Sequence, residues 1–479
     1  MSDHQIDIFV NTYTQALKDQ NAAVFAGAGL SIPAGVVNWK ELMRSIAKEV
    51  RLDVDKEHDL ITVAQFHVNE RGGRHRINQK LVEEFSSRSK LTENHRLLSS
   101  LPIKTYWTTN YDTLIEEALR VAHKNPDVKI TTNNLATTLP RRDAIIYKMH
   151  GDVSQPDEAV VTKDDYENYN AKRQLFSSTL QGDLVSKTFL FIGFSFNDPN
   201  LAYILSRIRV LLGENKREHY CILRKVQGKD FATSRDYNYA RAKQELQVSD
   251  LKRYGIIGLL IDDYKQLSEI LKRITKKYCM SRIFISGSAA DYSPWSETES
   301  AKFIQGLSEA LVREGFGLVS GFGLGVGPYV VNGVLKQLER EGTQILDDRI
   351  IMRPFPYMMK DPKERKRRWT DYRKEILSHS GIAIFLFGNK RDSEGRIVPA
   401  DGMEEEFKLA VSMGIFVVPV GSTGSMAEEL YRRVMKDFKI YYDKRGYKSL
   451  MKLLGQKEKN SKTVVTNVIE FVKKLREDA

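Results

Sequence analysis

What most constrains this chain is a local pattern that recurs along it: a short apolar run, long enough for one strand, that stops at glycine or at a cluster of polar residues. Ala22-Ala23-Val24-Phe25-Ala26 runs into Gly27-Ala28-Gly29-Leu30-Ser31, a run ending at Thr108 meets Thr109-Asn110-Tyr111-Asp112, and Ile145-Ile146-Tyr147-Lys148-Met149 delivers His150-Gly151-Asp152. Runs of this kind, alternating with helix-length segments, predict parallel strands covered by helices on both faces. In an open parallel sheet the ligand crevice lies at the carboxyl ends of the strands, so polar clusters far apart in sequence are expected to converge there. A histidine after a buried strand is ordinary by itself. Three strand ends carrying polar groups point to a site.

The pattern extends over the whole chain. Residues 4–19 read as an amphipathic helix with Phe9, Val10, Tyr13 and Leu17 at helical spacing. Asn38 and Glu41, three apart, predict a helix from Trp39. Residues 56–100 read as a helical insertion broken at Gly72-Gly73, and strand patterns follow at 105–108, 144–148, 188–192, 219–223 and 256–261. After a charged helix ending near 272–280, a second series begins with a strand at 282–288 and a helix over 297–314. A strand at 317–320 then enters the glycine-dense turn Gly321-Phe322-Gly323-Leu324-Gly325-Val326-Gly327, with Pro328 at the first helical position. Such a turn between strand and helix either cradles a phosphate or serves packing alone. With further strands at 350–353, 382–387 and 415–420, the expected fold is α/β: two Rossmann-like, doubly wound parallel-sheet domains, residues 1–280 with the helical insertion and residues 281–479.

Composition narrows the function. A chain of 479 residues exceeds what one core usually supports. It has no run of ~20 apolar residues and no basic-then-apolar start, which leads to the expectation of a cytoplasmic protein without a membrane partner. Two cysteines, Cys221 and Cys279, can build neither a disulfide framework nor a four-cysteine zinc site, and no metal is expected. The net charge of +12 and the basic run at 363–368 would suit nucleic acid, but no zinc-finger, RNA-recognition or helix-turn-helix signature accompanies them. The same charge suits ligands that carry pyrophosphates.

Gly27-Ala28-Gly29-Leu30-Ser31 with Ala34-Gly35-Val36, then Thr109-Asn110-Tyr111-Asp112, then His150-Gly151, then Gly193-Phe194-Ser195-Phe196 with Asp198 and Pro199, resembles the ordered motif set of the sirtuin family, which consumes NAD. The resemblance implies His150 as the base and Asn110 as the group that fixes a ribose hydroxyl or water. It also implies Ala26, Gly27, Ala28, Gly29, Ser31, Asp112, Gly193 and Ser195 as NAD-binding residues, the last two toward the adenosine. Asp112 reads equally as a helix cap. The chemistry is consistent with these residue types: a neutral pyridine leaves through an oxocarbenium-like state, so the site needs a held ribose and a base rather than an acid. Where deacetylating sirtuins continue with Pro-Asp-Phe-Arg, this chain has Val36-Val37-Asn38-Trp39-Lys40, and the zinc module is missing. Water is therefore the expected acceptor, giving ADP-ribose and nicotinamide; protein deacylation, or nucleotide binding without catalysis, is the alternative.

Residues from 281 onward resemble the SLOG family of nucleotide sensors, and the combination resembles the NAD-consuming effectors of the bacterial Thoeris anti-phage system. That resemblance implies a cyclic ADP-ribose-type activator made by a TIR-domain partner protein, a homotetramer, and NAD depletion in abortive infection. The activator is expected at Gly287, Ser288, Gly321, Gly323, Gly325, Arg373, Lys390 and Glu406. Arginine offers a planar fork for phosphate, lysine a point charge, and glutamate an acceptor for hydroxyls. Each of these charges reads alternatively as a solvated helix or loop group.

Overall fold

The computed structural model describes residues 3–479 apart from 87–88, 197, 214, 343–348, 356–361, 445 and 457–459; of the basic run at 363–368, the Lys363 side chain is also outside the described part. The chain divides into two compact units, Met1–Thr275 and Lys276–Ala479.

The first unit is built on seven strands: β1 (Ala22–Ala26), β2 (Thr105–Thr108), β3 (Pro126–Lys129), β4 (Ala144–Lys148), β5 (Thr188–Ile192), β6 (His219–Arg224) and β7 (Ile256–Ile261). They lie in the order β3-β4-β2-β1-β5-β6-β7, and each neighbouring pair is parallel. The chain thus winds outward from β1 in both directions, which makes the carboxyl end of β1 the switch point where such sheets open a crevice. β1, β2 and β5 are buried along their whole length, as a sheet covered on both faces requires. Phe25, Trp107, Phe189 and Phe191 fill the core on one side.

The expected helices form for the reasons the sequence suggests. Asn38 Oδ1 accepts from the Glu41 backbone N–H at 2.9 Å and starts helix Trp39–Glu49. The insertion is helical, with Leu60–Arg71 and His75–Phe85 separated by Gly72 in the left-handed region (φ 70°). It shares a small core with helix Trp39–Glu49, in which Leu42, Met43, Ile46, Val63 and Leu81 are buried together with Tyr111, the residue after Asn110. Strand β3 was not anticipated. Its four residues begin with proline and include the paired Asp127 and Lys129, a composition confined to sheet edges, where strand signals are weakest.

The second unit has a parallel sheet of β8 (Arg282–Ser288), β9 (Gly317–Ser320), β10 (Ile350–Met352), β11 (Ile382–Phe387) and β14 (Phe416–Pro419), in the order β10-β9-β8-β11-β14. Here the winding reverses at β8. A short antiparallel hairpin, β12 (Asn389–Arg391) with β13 (Ile397–Pro399), follows β11 and was also not anticipated; its mostly polar residues carry no strand periodicity. Helix Gly327–Glu341 begins one residue before Pro328, so that proline occupies the second helical position and not the first. Ala383, Ile384 and Phe385 of β11 are fully buried in a core completed by Val468, Phe471 and Leu475 from helix Ser461–Glu477.

The most demanding approach in the first unit is between the turn after β1 and the end of β5. Gly27 N–H donates to the Ile192 carbonyl and Gly29 N–H to the Gly193 carbonyl, both at 2.9 Å. Gly193 has φ +65°, and a Cβ there would lie 2.3 Å from the Leu30 nitrogen. Gly193→Ala is therefore expected to destabilise the protein by roughly 2 kcal/mol or more, since it combines a left-handed φ with a backbone clash. Gly73→Ala, with nothing within 4 Å of its added Cβ, should be nearly neutral. Denaturant midpoints of the two variants check this.

Candidate functional site

A cavity of about 450 Å³ opens at the carboxyl ends of β1, β2, β4 and β5. Its polar wall brings together Gly27, Ala28, Gly29, Asn110, Asp112, His150, Gly193 and Ser195 from the positions named in the sequence. Ala26 and Ser31 do not line it: Ala26 is buried in β1, and Ser31 sits behind the wall, where its Oγ accepts from Asn110. Leu60, Ile61 and Phe85 of the insertion and Val36, Val37 and Trp39 supply an apolar side that limits water.

Asn110 is held on three sides. Its backbone N–H donates to Thr108 Oγ1 at 3.0 Å, and its Nδ2 donates to the Gly27 carbonyl at 3.2 Å and to Ser31 Oγ at 3.1 Å. Its Oδ1 is buried and has no protein partner among the described residues. A buried amide oxygen in that condition is an acceptor waiting for a donor.

His150 follows β4, and its carbonyl accepts from the Val160 N–H at 2.9 Å. Its Nε2 lies 3.0 Å from Asp198 Oδ2, both side chains being less than a tenth exposed. The approach lacks the alignment of a hydrogen bond and is an ion pair only when the imidazole carries a second proton. Asp198 also caps helix Pro199–Leu212, its Oδ1 accepting from the Leu201 N–H at 2.8 Å. Burial pushes the Asp198 carboxyl up, but His150 and the backbone N–H groups of Leu201 and Asn200 outweigh burial and hold it below the ordinary carboxylate range. The Tyr166 ring meets His150 edge-on, with centroids 5.5 Å apart. In the sequence Asp198 stands out only as part of a motif and Tyr166 not at all, because nothing in sequence distance places either beside His150.

The other assignments resolve differently. Asp112 Oδ1 accepts from the Leu114 N–H at 3.0 Å, bracing the turn that leads into helix Leu114–Val121 from one residue before its N-cap Thr113, while its Oδ2 is buried without a partner among the described residues, and the residue borders the cavity as well. In the turn after β1 the amides of Gly27, Gly29, Leu30 and Ser31 are bonded to carbonyls. The turn thus offers a close backbone approach and the Ala28 amide, not the row of free amides its glycines suggested. Ser195 borders both this cavity and a neighbouring one of about 430 Å³ lined by Leu201, Leu205, Leu223 and Tyr254.

In the second unit a cavity of about 610 Å³ lies at the ends of β8, β9 and β11 and is lined by Gly287, Ser288, Gly321, Gly323, Arg373, Lys390 and Glu406. Gly325 does not line it. That glycine instead makes a turn with φ +76° against the Ala289 carbonyl, which is the packing role weighed for this loop. Arg373 is buried against the edge-to-face pair of the Phe355 and Trp369 rings, with its guanidinium carbon 5.0 and 5.8 Å from their centroids. Its Nη1 meets Glu405 at 2.7 Å and its Nε lies 3.5 Å from Glu406. Burial raises the Glu406 carboxyl above its ordinary value, even though Ser286 Oγ at 2.5 Å and Arg373 pull it down. Lys390 is half exposed and paired with Asp401. Among the described residues no cluster of metal-ligating side chains occurs, and no helix is long and apolar enough to cross a membrane.

Comparison with known proteins matches residues 104–248 to a SIR2-like domain and residues 266–475 to the Sir2- and TIR-associating SLOG family. The chain is 46% identical over 474 residues to the NAD(+) hydrolase ThsA of Bacillus cereus (strain MSX-D12), covering 98% of both chains. It is 47% identical over 447 residues to the protein of that name from Acinetobacter baumannii (strain 532279), covering 92% of this chain and 93% of the relative. It is also 24% identical over 220 residues to defense-associated sirtuin 2 of Bacillus subtilis, covering 44% of this chain and 21% of that one.

The pairing of Asp198 predicts a pH dependence. A carboxyl whose folded pKa is depressed contributes stability that is fully present above its unfolded value near ~4 and lost as pH falls through the folded value. Asp198→Asn keeps the helix cap and removes the charge. The variant should be less stable than the parent at pH 6, and the gap should narrow as the pH drops below about 4. Urea midpoints across that range check it; a gap that does not change with pH would separate the carboxylate from His150.

Proposed function

The chain belongs to the ThsA family of NAD(+) hydrolases, and from that premise we propose that the cavity of the first unit cleaves NAD(+) to ADP-ribose and nicotinamide, while the cavity of the second receives a nucleotide signal that turns the cleavage on. The observation that carries the first part is Asn110: its amide nitrogen is tethered to the β1 turn, leaving a buried, unpartnered oxygen at the wall that also holds His150. Binding a dinucleotide needs neither group in that state. Fixing a ribose hydroxyl or a water needs both.

In this reading the pyrophosphate lies on the turn after β1, close to the Ala28 amide, and the adenosine passes Gly193 and Ser195. The nicotinamide ribose then lies against Asn110 and His150. As the bond from C1′ to the pyridine nitrogen breaks, positive charge develops on the ribose and neutral nicotinamide departs with the bonding electrons. Asn110 orients the hydroxyl or the attacking water, and His150 takes the proton released as the new C–O bond forms. Asp198 then faces an imidazolium and stabilises it, as a carboxylate does beside a catalytic histidine elsewhere. The apolar side formed by Trp39, Leu60 and Phe85 keeps bulk water from the reacting centre.

The second cavity suits a ligand with phosphates and a flat base: an arginine packed against two aromatic rings, a lysine at the rim, and glycine turns that admit a close backbone approach. The matched description of the region as Sir2- and TIR-associating supports a cyclic ADP-ribose-type signal from a TIR-domain partner, with NAD depletion as the defensive outcome. Shifting a two-state enzyme from 1:99 to 99:1 takes about 5.5 kcal/mol of preferential binding, within reach of two or three charge-assisted contacts made in the active state.

His150→Ala and Asn110→Ala should each lower nicotinamide release by about 100-fold or more in a protein that still folds. Near-normal turnover in either would remove that residue from the mechanism. Arg373→Ala or Lys390→Ala should weaken the apparent affinity for a cyclic ADP-ribose activator roughly 10- to 150-fold, equivalent to ~1.5–3 kcal/mol for a lost charge-assisted bond, with turnover restored at saturation. Titration of NAD(+) cleavage against activator concentration measures this, and an unchanged midpoint in both variants would place the sensor contacts elsewhere.

A further inference from the structure

Lys148, the last residue of β4, is fully buried, and neither proposed site uses it. Its ammonium donates to three acceptors, the Asp112 carbonyl at 2.5 Å, the Tyr111 carbonyl at 3.3 Å and the Asp152 carboxylate, and lies 3.2 Å from Glu116 Oε1 as an ion pair without a hydrogen bond. Tyr111 and Asp112 belong to the loop after β2 that carries Asn110, and Asp152 to the loop after β4 that carries His150. Glu116 lies in helix Leu114–Val121, into which the first loop leads. Strand pairing controls the two chains only as far as Thr108 opposite Lys148 and the 2.9 Å bond from Met149 N–H to the Thr108 carbonyl. Past that point the loops meet through the Val153 N–H on the Tyr111 carbonyl, at 3.1 Å, through the Tyr111 hydroxyl on the Val160 carbonyl, at 2.7 Å, and through Lys148, which alone of these brings a charge to the junction.

An apolar side chain would fill this space without desolvating an ion, so a buried ammonium is a costly way to complete a core. We infer that Lys148 is a positioning residue for NAD(+) cleavage, joining the loops of Asn110 and His150 and so fixing the distance between the two groups the reaction needs. The inference rests on the assignment of those two groups above. Burial by itself would favour neutral Lys148, but Glu116 and Asp152 more than reverse this and keep it charged. The charge makes the link specific: an ammonium draws in carbonyl and carboxylate oxygens from both loops at once, which no neutral side chain of its length can do.

Lys148→Met keeps the length and loses every donor. In the full chain, under conditions where the parent releases nicotinamide from NAD(+), kcat should fall roughly 10- to 100-fold, the usual cost of a small misplacement, while KM stays within about threefold. In a His150→Ala background the same substitution should cost less than about threefold, because the group it positions has already gone. A purely structural role would instead lower activity by the same factor in both backgrounds. If Lys148→Met does not fold, Lys148→Met combined with Glu116→Gln and Asp152→Asn leaves no charge of the cluster unpaired and should show the same loss of kcat. Parental kcat in either folded variant, equal losses in both backgrounds, or failure of both variants to fold would each overturn the inference alone. Parental turnover in His150→Ala by itself would instead overturn the assignment of the base, and the inference with it.

Discussion

The first unit depends on two backbones brought closer together than side chains allow. The turn after β1 and the end of β5 are joined by the amides of Gly27 and Gly29, and Gly193 has no room for a Cβ. That approach fixes the Gly27 carbonyl, which holds the Asn110 amide nitrogen and so decides which way the Asn110 oxygen faces. Asn110 shares its loop with Tyr111, whose ring packs against Phe85 of the helical insertion. A constraint set by missing side chains at the switch point thus reaches both the Asn110 amide and the apolar wall of the cavity.

The two units answer one topological problem with different chemistry. Each winds its strands outward from one central strand, β1 or β8, and each opens a cavity at the carboxyl ends. The first cavity sets an imidazole beside a carboxylate and leaves an amide oxygen unpartnered, the equipment for moving a proton and orienting a small nucleophile. The second sets a guanidinium against two rings, which favours recognition of phosphate and base over proton transfer. Buried charge also differs. Around the first site it ties the loops of Asn110 and His150 together through Lys148, whereas Arg373 already has Glu405 and Glu406 as internal partners that an incoming anion must compete with.

Much of this was legible in the sequence where local rules govern. Apolar runs ending in glycine or polar residues marked eleven of the twelve strands of the two parallel sheets, and Asn38 marked a helix start, because burial on both faces and capping act over a few residues. The polar edge strand β3 and the hairpin of β12 and β13 escaped notice for the converse reason: their residues satisfy pairing at an edge and show no apolar periodicity. The family resemblance named Asn110, His150 and the glycines, and these do come together at one wall.

What the sequence alone determined is the list of strand ends and the residue types they carry. The tertiary structure decided what each of those residues meets. It put Asp198 beside His150 across 48 positions of chain, drew Lys148 to the carbonyls of Tyr111 and Asp112, used up most of the amides of the β1 turn, and took Ser31 and Gly325 off the cavity walls. The physical reason is range. Strand burial, capping and glycine turns are set by neighbours in sequence, whereas the partner of a charge or an amide is whichever group the sheet order brings within about 3 Å.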